Sequence, residues 1–173
     1  HRAPPMVATA SACRALSAMG MDELARRERA LAFRLWAGLA EIPGLQVHTL
    51  WRPGDTDRVG VATFTLDGFR HPLLAAVLSA EHAIGVRHGC FCAHPYLVRL
   101  LRLSQAELRD FRAAARRHDR CALPGAIRAS AGISTTVEEI ERLLEAVDAV
   151  AHTPAPVEYE RDPRTGDYWP RGF

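Results

Sequence analysis

AIRASAGISTTVEEIERLLEAV, residues 126–147, passes from an extended segment straight into a helix. The spacing predicts a short strand over AIRASAG. A capping box of Thr135 with Glu138 then opens a helix whose Ile140, Leu143, Leu144 and Val147 form one buried face. A strand feeding an amphipathic helix needs a sheet on one side and neighbouring helices on the other. Working outward supplies both. Upstream, CALPG breaks the chain. Ser104 and Glu107 cap a helix over SQAELRDFRAAARRHD, and Pro95 opens a short one over PYLVRLLRL. IGVRH reads as a strand, and Leu73, Leu74, Val77 and Leu78 mark a helix with Pro72 at its first position. VGVATFTL and LQVHTLW read as two further strands joined by the turn WRPGDTDR. Before them lies a long helix over residues 21–44, with Asp22 as its N-cap, Pro43 and Gly44 at its end, and Leu24, Leu31, Leu35, Trp36 and Leu39 as its apolar stripe. A first helix, ASACRALSAMG, stops at Gly20. The expected fold is therefore α/β: a two-layer domain with a small mixed or antiparallel sheet and helices packed on one face. The last segment, TPAPVEYERDPRTGDYWPRGF, is rich in proline, charge and aromatics, and DPRTGD predicts a turn between two extended pieces, a tail or hairpin that lies on some other surface.

Composition bounds the function. A chain of 173 residues, 48% of them hydrophobic, suits one domain with an appendage and can bury a core. Its net charge of +2 argues for no polyanionic partner. Arg109, Arg112, Arg116 and Arg120 share a helical face, but at this net charge a solvated face accounts for them better than a nucleic-acid stripe. No apolar run approaches the ~18 residues a membrane span needs, and no signal peptide is visible. Four cysteines, Cys13, Cys90, Cys92 and Cys121, are too few for a disulfide scaffold of this size, so a reducing, cytoplasmic setting is expected.

GVRHGCFCAHP, residues 85–95, gathers the reactive side chains: two thiols one residue apart, a histidine two residues outside each, and an arginine before them. In an extended chain His88, Cys90, Cys92 and His94 point to one side, but at ~3.3 Å per residue the outer pair stands roughly 20 Å apart, too far for one tetrahedral ion. A single residue between the cysteines also fits zinc knuckles poorly, so no metal site is expected. The nucleophile reading draws on Arg87, on the helix opening at Pro95, and on Gly89, which lets the backbone pass close to a ligand. Two small apolar cysteines packed in a turn would explain the residues equally well.

The two stretches together, GVRHGCFCAHP followed by AIRASAGISTTVEEIERLLEAV, resemble the C-terminal part of a class V aminotransferase, most of all the cysteine desulfurase branch of the pyridoxal-phosphate enzymes. The likeness runs from the long second helix to about residue 150. It implies the small domain of a fold-type-I transferase. In its loop pattern Arg87, Gly89 and Cys92 match, and in its strand pattern Arg128, Ala129 and Ser130 match. The resemblance implies that Cys92 forms a persulfide, that Arg128 grips the α-carboxylate of an amino-acid substrate, and that Arg87 lines the same pocket. Cys90 has no counterpart in the desulfurases, although a cysteine–phenylalanine–cysteine loop resembles molybdenum-cofactor sulfurases; which thiol faces the cofactor stays open, and His88 and Gly89 belong to the same loop.

All 22 basic side chains are arginine, and there is no lysine. The family holds pyridoxal 5'-phosphate as an imine on a lysine of its large domain, and guanidinium cannot replace that amine. The resemblance thus implies a cofactor bound mainly by a large domain on the same or another chain, a homodimer when intact, and a chain inactive alone. The chain begins with His1, and RAPPMVATA departs from the family's usual sequence, so the amino end is expected to be truncated or divergent. The expected organisation is a helical linking segment over 1–41, a small α/β domain over 42–153 and an extended tail over 154–173. Other class V reactions (transamination, epimerisation, β-elimination) stay open, as does a non-catalytic interaction module.

Overall fold

The computed structural model describes residues 3–51, 56–153 and 157–172, without the side chains of Ala3, Pro4 and Arg120. Residues 52–55 of the expected turn WRPGDTDR, the first two residues of the chain, and 154–156 at the start of the tail lie outside the described residues. Two helices come first, α1 (Ala3–Met19) and α2 (Met21–Glu41). Then follow β1 (Leu45–Val47), β2 (Val61–Leu66), α3 (His71–His82), β3 (Arg87–Gly89), α4 (His94–Leu100) and α5 (Gln105–Arg116). A 3-10 turn at Arg120–Ala122 leads to β4 (Ala126–Ser130) and α6 (Val137–His152), and β5 (Tyr159–Arg161) and β6 (Tyr168–Pro170) end the chain.

The four central strands pair in the order β1–β2–β4–β3, antiparallel throughout. Strand periodicity sends alternate side chains to opposite faces. Ala62, Phe64 and Leu66 of β2 and Ile127 and Ala129 of β4 point one way, onto α2, α3 and α6. Phe64, Leu35, Leu39, Leu74, Leu78, Ile127, Val77 and Val147 are fully buried there, each contributing about 1.5–3 kcal/mol of burial. The expected two-layer α/β arrangement is what the chain adopts. The opposite face bears Thr63, Thr65 and Arg128, and only part of it is covered, by Leu97 and Leu100 of α4. That uneven cover leaves a cavity.

Local signals differ from expectation in instructive ways. The capping box of α6 is Thr136 with Glu139, one residue later than predicted; Thr135 instead accepts the Gly132 N–H at 2.8 Å. Asp22 does not cap α2. Gly20, at φ 86°, takes the N-cap position, and Asp22 sits in the first turn, where its charge suits the helix dipole. The first helix begins at Ala3, well before Ala10. Pro72 is the second helical residue of α3, after His71. The third strand is Arg87–Gly89, because those are the residues that meet β4; Ile84 and Val86 pack against the core from a non-strand segment. Arg109, Arg112 and Arg116 are exposed on α5, whereas Arg120 lies beyond that helix, in the 3-10 turn.

The tail forms the expected hairpin, β5 with β6, around the turn at 162–167. It lies on α3 and on the turn at Cys121. Tyr159 donates its hydroxyl to Glu81 at 2.8 Å, and burial holds the phenol well above its usual range. The backbone carbonyl of Cys121 accepts from Arg161 at 2.7 Å and from Arg70, and the Cys121 thiol faces the carbonyl of Pro163 at 3.2 Å.

Candidate active site

The site begins with β3 and β4. Their register sets Arg87 directly opposite Arg128, so both arginines stand on the sheet face away from the core. Like charges at opposed positions repel. Arg128 has no ion pair among the described residues, and its Nε is buried with no hydrogen-bond partner. An unsatisfied buried donor costs about 1–3 kcal/mol. Its guanidinium lies 5.2 Å from the centre of the Phe91 ring, an attraction too small to offset that cost in full. The arrangement is one that a bound anion would relieve, and a carboxylate matches the guanidinium fork.

β3 ends at Gly89, φ 106°, and the chain reverses at once. Phe91 and Cys92 both take left-handed backbone, φ 54° and 57°, and the Ala93 N–H closes the turn onto the Cys90 carbonyl at 2.9 Å. Two successive positive φ values describe a primed turn, a conformation that favours glycine or asparagine. Each non-glycine residue held there costs about 1–2 kcal/mol. Backbone strain of this kind gathers at functional loops. The turn separates the two thiols. Cys90 is half-buried and lines the cavity with Arg128 and Phe91, while Cys92 is exposed and lies outside the cavity wall.

The cavity measures about 390 Å³, within the range of small-molecule sites. Val61, Thr63 and Arg128 form its floor, the cysteine turn and α4 one side, and Trp36 and the residues around Thr49 and Arg58 the other. Trp36 donates to the Val61 carbonyl at 3.0 Å and carries the Arg58 guanidinium 4.2 Å above its ring. His48 closes one end: it is buried, hydrogen-bonded to Thr65 Oγ1 at 2.8 Å, and held below its ordinary pKa by burial. Of the residues singled out in the sequence, Arg128 and Cys90 share this cavity. Arg87 is exposed beside it on the same sheet face. His88 points the other way, its Nδ1 3.2 Å from Nδ1 of His71 and its Nε2 3.7 Å from Asp167. Among the described residues no group of three or more His, Cys, Asp or Glu is placed to hold a metal ion.

Trp36, Arg58, Thr63 and Tyr96 were not foreseen as site residues. Trp36 read as part of a helical core stripe, and nothing local links Arg58 or Tyr96 to β4. No described helix is long and apolar enough to cross a membrane.

Comparison with known proteins agrees with this architecture. The family profile of class-V aminotransferases matches residues 3–143. A cysteine desulfurase of Haloferax volcanii is 28% identical over 149 residues, covering 84% of this chain and 29% of that protein. A probable cysteine desulfurase of Pseudomonas aeruginosa is 32% identical over 133 residues, covering 77% of the chain and 26% of the relative. The chain therefore spans less than a third of the length of these curated relatives. Among solved structures, the apo cysteine desulfurase of Thermococcus onnurineus superposes with a TM-score of 0.60 at 24% identity, over 80% of this chain and 28% of that one. The cysteine desulfurase CsdA of Escherichia coli gives 0.57 at 23% identity, with the same coverage. These structural likenesses bear on the fold, and the profile covers most of the sequence: the chain belongs to the class-V aminotransferase family, with cysteine desulfurases among its relatives.

Proposed function

We propose that this chain is the substrate-facing part of a pyridoxal-phosphate enzyme that takes sulfur from cysteine, working with a lysine-bearing domain on the same or another chain. In that assignment residues 42–153 are the small domain, 1–41 lead into it, and 154–173 brace it. The observation that carries the reading is the orphaned Nε of Arg128, in a cavity it shares with Cys90.

The donor set fits the substrate side of such a site and not the cofactor's anchor. No lysine exists in the sequence to form the imine, so these residues alone do not hold the group covalently. Pyridoxal phosphate, bound elsewhere, would supply the electron sink at the substrate's α-carbon. This chain's own contribution is positioning and sulfur capture. Arg128 pairs with the α-carboxylate, which satisfies its unpartnered donor and screens it from Arg87. Trp36 and Phe91 exclude water from the apolar walls. A thiol of the cysteine turn attacks the substrate's sulfur; cysteine and enzyme thiol become alanine and enzyme persulfide, so atoms and electrons balance without an outside oxidant. A reducing, cytoplasmic setting would keep the thiols free for this role.

The test combines this chain with a lysine-bearing class V large domain and pyridoxal phosphate, supplies cysteine and a reducing thiol, and measures alanine and sulfide. Both should appear in equal amounts, and Arg128→Ala should lower kcat/KM at least ~100-fold, corresponding to the loss of a charge-assisted pair worth about 3 kcal/mol. Keto acid or racemised substrate without sulfide would select another class V reaction. No turnover of any amino acid by the combined domains would leave a non-catalytic binding module. An unchanged KM and kcat in Arg128→Ala would remove Arg128 from the site.

A further inference from the structure

We infer that the C-terminal hairpin sets the cysteine turn from behind the sheet: Asp167 and His71 are positioning residues that act through His88, the middle residue of β3. The coupling is a property of this chain, and its consequence for sulfur capture rests on the reading above. β3 is an edge strand of three residues, paired only with β4. So short a strand has few ladder bonds to fix it, and it ends at Gly89, where the turn that carries both thiols begins. Side chains alternate along it. Arg87 stands with Arg128 on the face away from the core, so His88, opposite the fully buried Ile127, faces the helices. There it is the centre of a row of three. His71, the first residue of α3, meets it Nδ1 to Nδ1 at 3.2 Å, the ring centres 5.4 Å apart. Asp167, whose carbonyl closes the hairpin turn by accepting the Asp162 N–H at 2.9 Å, brings its carboxylate to 3.7 Å from His88 Nε2.

The far nitrogen of His71 fixes the direction of the row. Its Nε2 faces the Leu123 carbonyl at 3.4 Å, and a carbonyl only accepts. Burial lowers the His71 pKa to about 4, so near pH 7 the ring is neutral, its hydrogen sits on Nε2, and Nδ1 is left to accept. His88 then donates through Nδ1. That turns its Nε2 towards the Asp167 carboxylate, within ion-pair reach whenever the ring carries its second proton. Arg70 is the other charge near His71, and its guanidinium is held by the Cys121 carbonyl. The row is packed as well as bonded. A Cβ on Gly125 would run into the His71 ring and come within 2.8 Å of Gly89 Cα, so the ring, the approach to β4 and the start of the turn leave one another no slack. The seat of the hairpin, through Asp167, thereby fixes the His88 ring, and that ring fixes β3 two residues before Cys90.

The experiment uses the full chain, labelled with nitrogen-15, near pH 7. Long-range proton–nitrogen spectra of the imidazoles should show His71 with its hydrogen on Nε2. Amide exchange is followed at Ala93, whose N–H closes the turn onto the Cys90 carbonyl, with Phe64 and Ile127 as references in the core strands. Asp167→Asn should speed exchange at Ala93 about 3-fold, the size expected for a half-exposed charge pair, and leave the references unchanged. His88→Gln should speed it further, and adding Asp167→Asn to that variant should then change nothing, because both act through one ring. Effects that multiply in the double variant, wild-type exchange in Asp167→Asn, or a His71 hydrogen on Nδ1 would overturn the coupling. So would a rise shared equally by Ala93 and the references, which marks a general loss of stability. In the enzyme assembled with its lysine-bearing domain, Asp167→Asn should lower kcat for alanine formation about 3-fold at unchanged KM, since the grip of Arg128 on the carboxylate is untouched; an unchanged kcat would overturn the consequence for sulfur capture. If exchange shows the coupling while the assembled wild type turns over no cysteine, the desulfurase reading fails and the coupling stands.

Discussion

Replacing Arg128 with methionine separates a ligand-binding arginine from a structural one. The substitution keeps the side chain's length and most of its volume but deletes the charge and the buried Nε. On the stabilising side, it removes an unsatisfied donor whose burial costs about 1–3 kcal/mol. It also removes repulsion with the opposed Arg87, worth about 0.2–1 kcal/mol. On the other side stands the lost attraction to Phe91, 5.2 Å away, at about 0.5–1 kcal/mol. The balance favours the variant by about 1–2 kcal/mol, a rise of about 2–8 °C in Tm for a chain of this size. Urea unfolding followed by circular dichroism, with a thermal melt alongside, reads this directly. In the assembled enzyme the same variant should lose substrate binding. A chain that grows more stable as it loses its ligand holds that arginine for function and not for folding. If Arg128→Met is destabilised by more than about 1 kcal/mol, the guanidinium braces the fold and the argument for a carboxylate site loses its foundation.

His71 gives a pH dependence. Burial, with smaller contributions from His88 and Arg70, lowers its pKa to about 4, against the pull of the Leu123 carbonyl and Asp167. The unfolded chain then binds more protons between pH 6.5 and 4, so stability is complete above about pH 6.5 and falls as the pH drops towards 4, by at most ~3 kcal/mol. Melts across that range should show the fall, and His71→Gln should flatten it; an unchanged slope would exonerate His71. Gly125→Ala should cost about 1–3 kcal/mol, because a Cβ there runs into the His71 ring and comes within 2.8 Å of Gly89 Cα; a wild-type melt would mean that β3 yields easily. Ala83 ends α3 with φ 54° and is exposed, so Ala83→Gly should raise stability by about 0.5–1 kcal/mol, checked by the urea midpoint.

Periodicity carried the helices and the two central strands, because burial of one face is written into the spacing of Leu35, Leu39, Phe64, Ile127 and Val147. It carried end points less well. In the run Thr135–Thr136–Val137–Glu138–Glu139, two overlapping capping boxes satisfy the same pattern, and only the claim of Gly132 on Thr135 decides between them. Gly20 took the start of α2 from Asp22 because the single residue that joins the two helices needs a positive φ more than it needs a side-chain cap. Within the site, Arg128 and the cysteine turn were legible through the resemblance. The split between Cys90 and Cys92 was not: it depends on two non-glycine residues held left-handed, a conformation that local preference argues against and tertiary contacts impose. Trp36 and Arg58 stayed hidden for a similar reason, since their route to β4 runs through pairings distant in the chain.

The seat of the terminal hairpin has its own evolutionary logic. Arg70 and Arg161 converge on a main-chain oxygen at position 121, an atom that every amino acid possesses. Drift at that codon can alter the thiol without dislodging the clasp, so selection has no grip on the residue through this contact. The two guanidinium donors lack such immunity. Damage to the brace should accordingly surface as changes at 70 or 161, while at position 121 only the thiol's own contact with the Pro163 carbonyl restrains the choice of side chain.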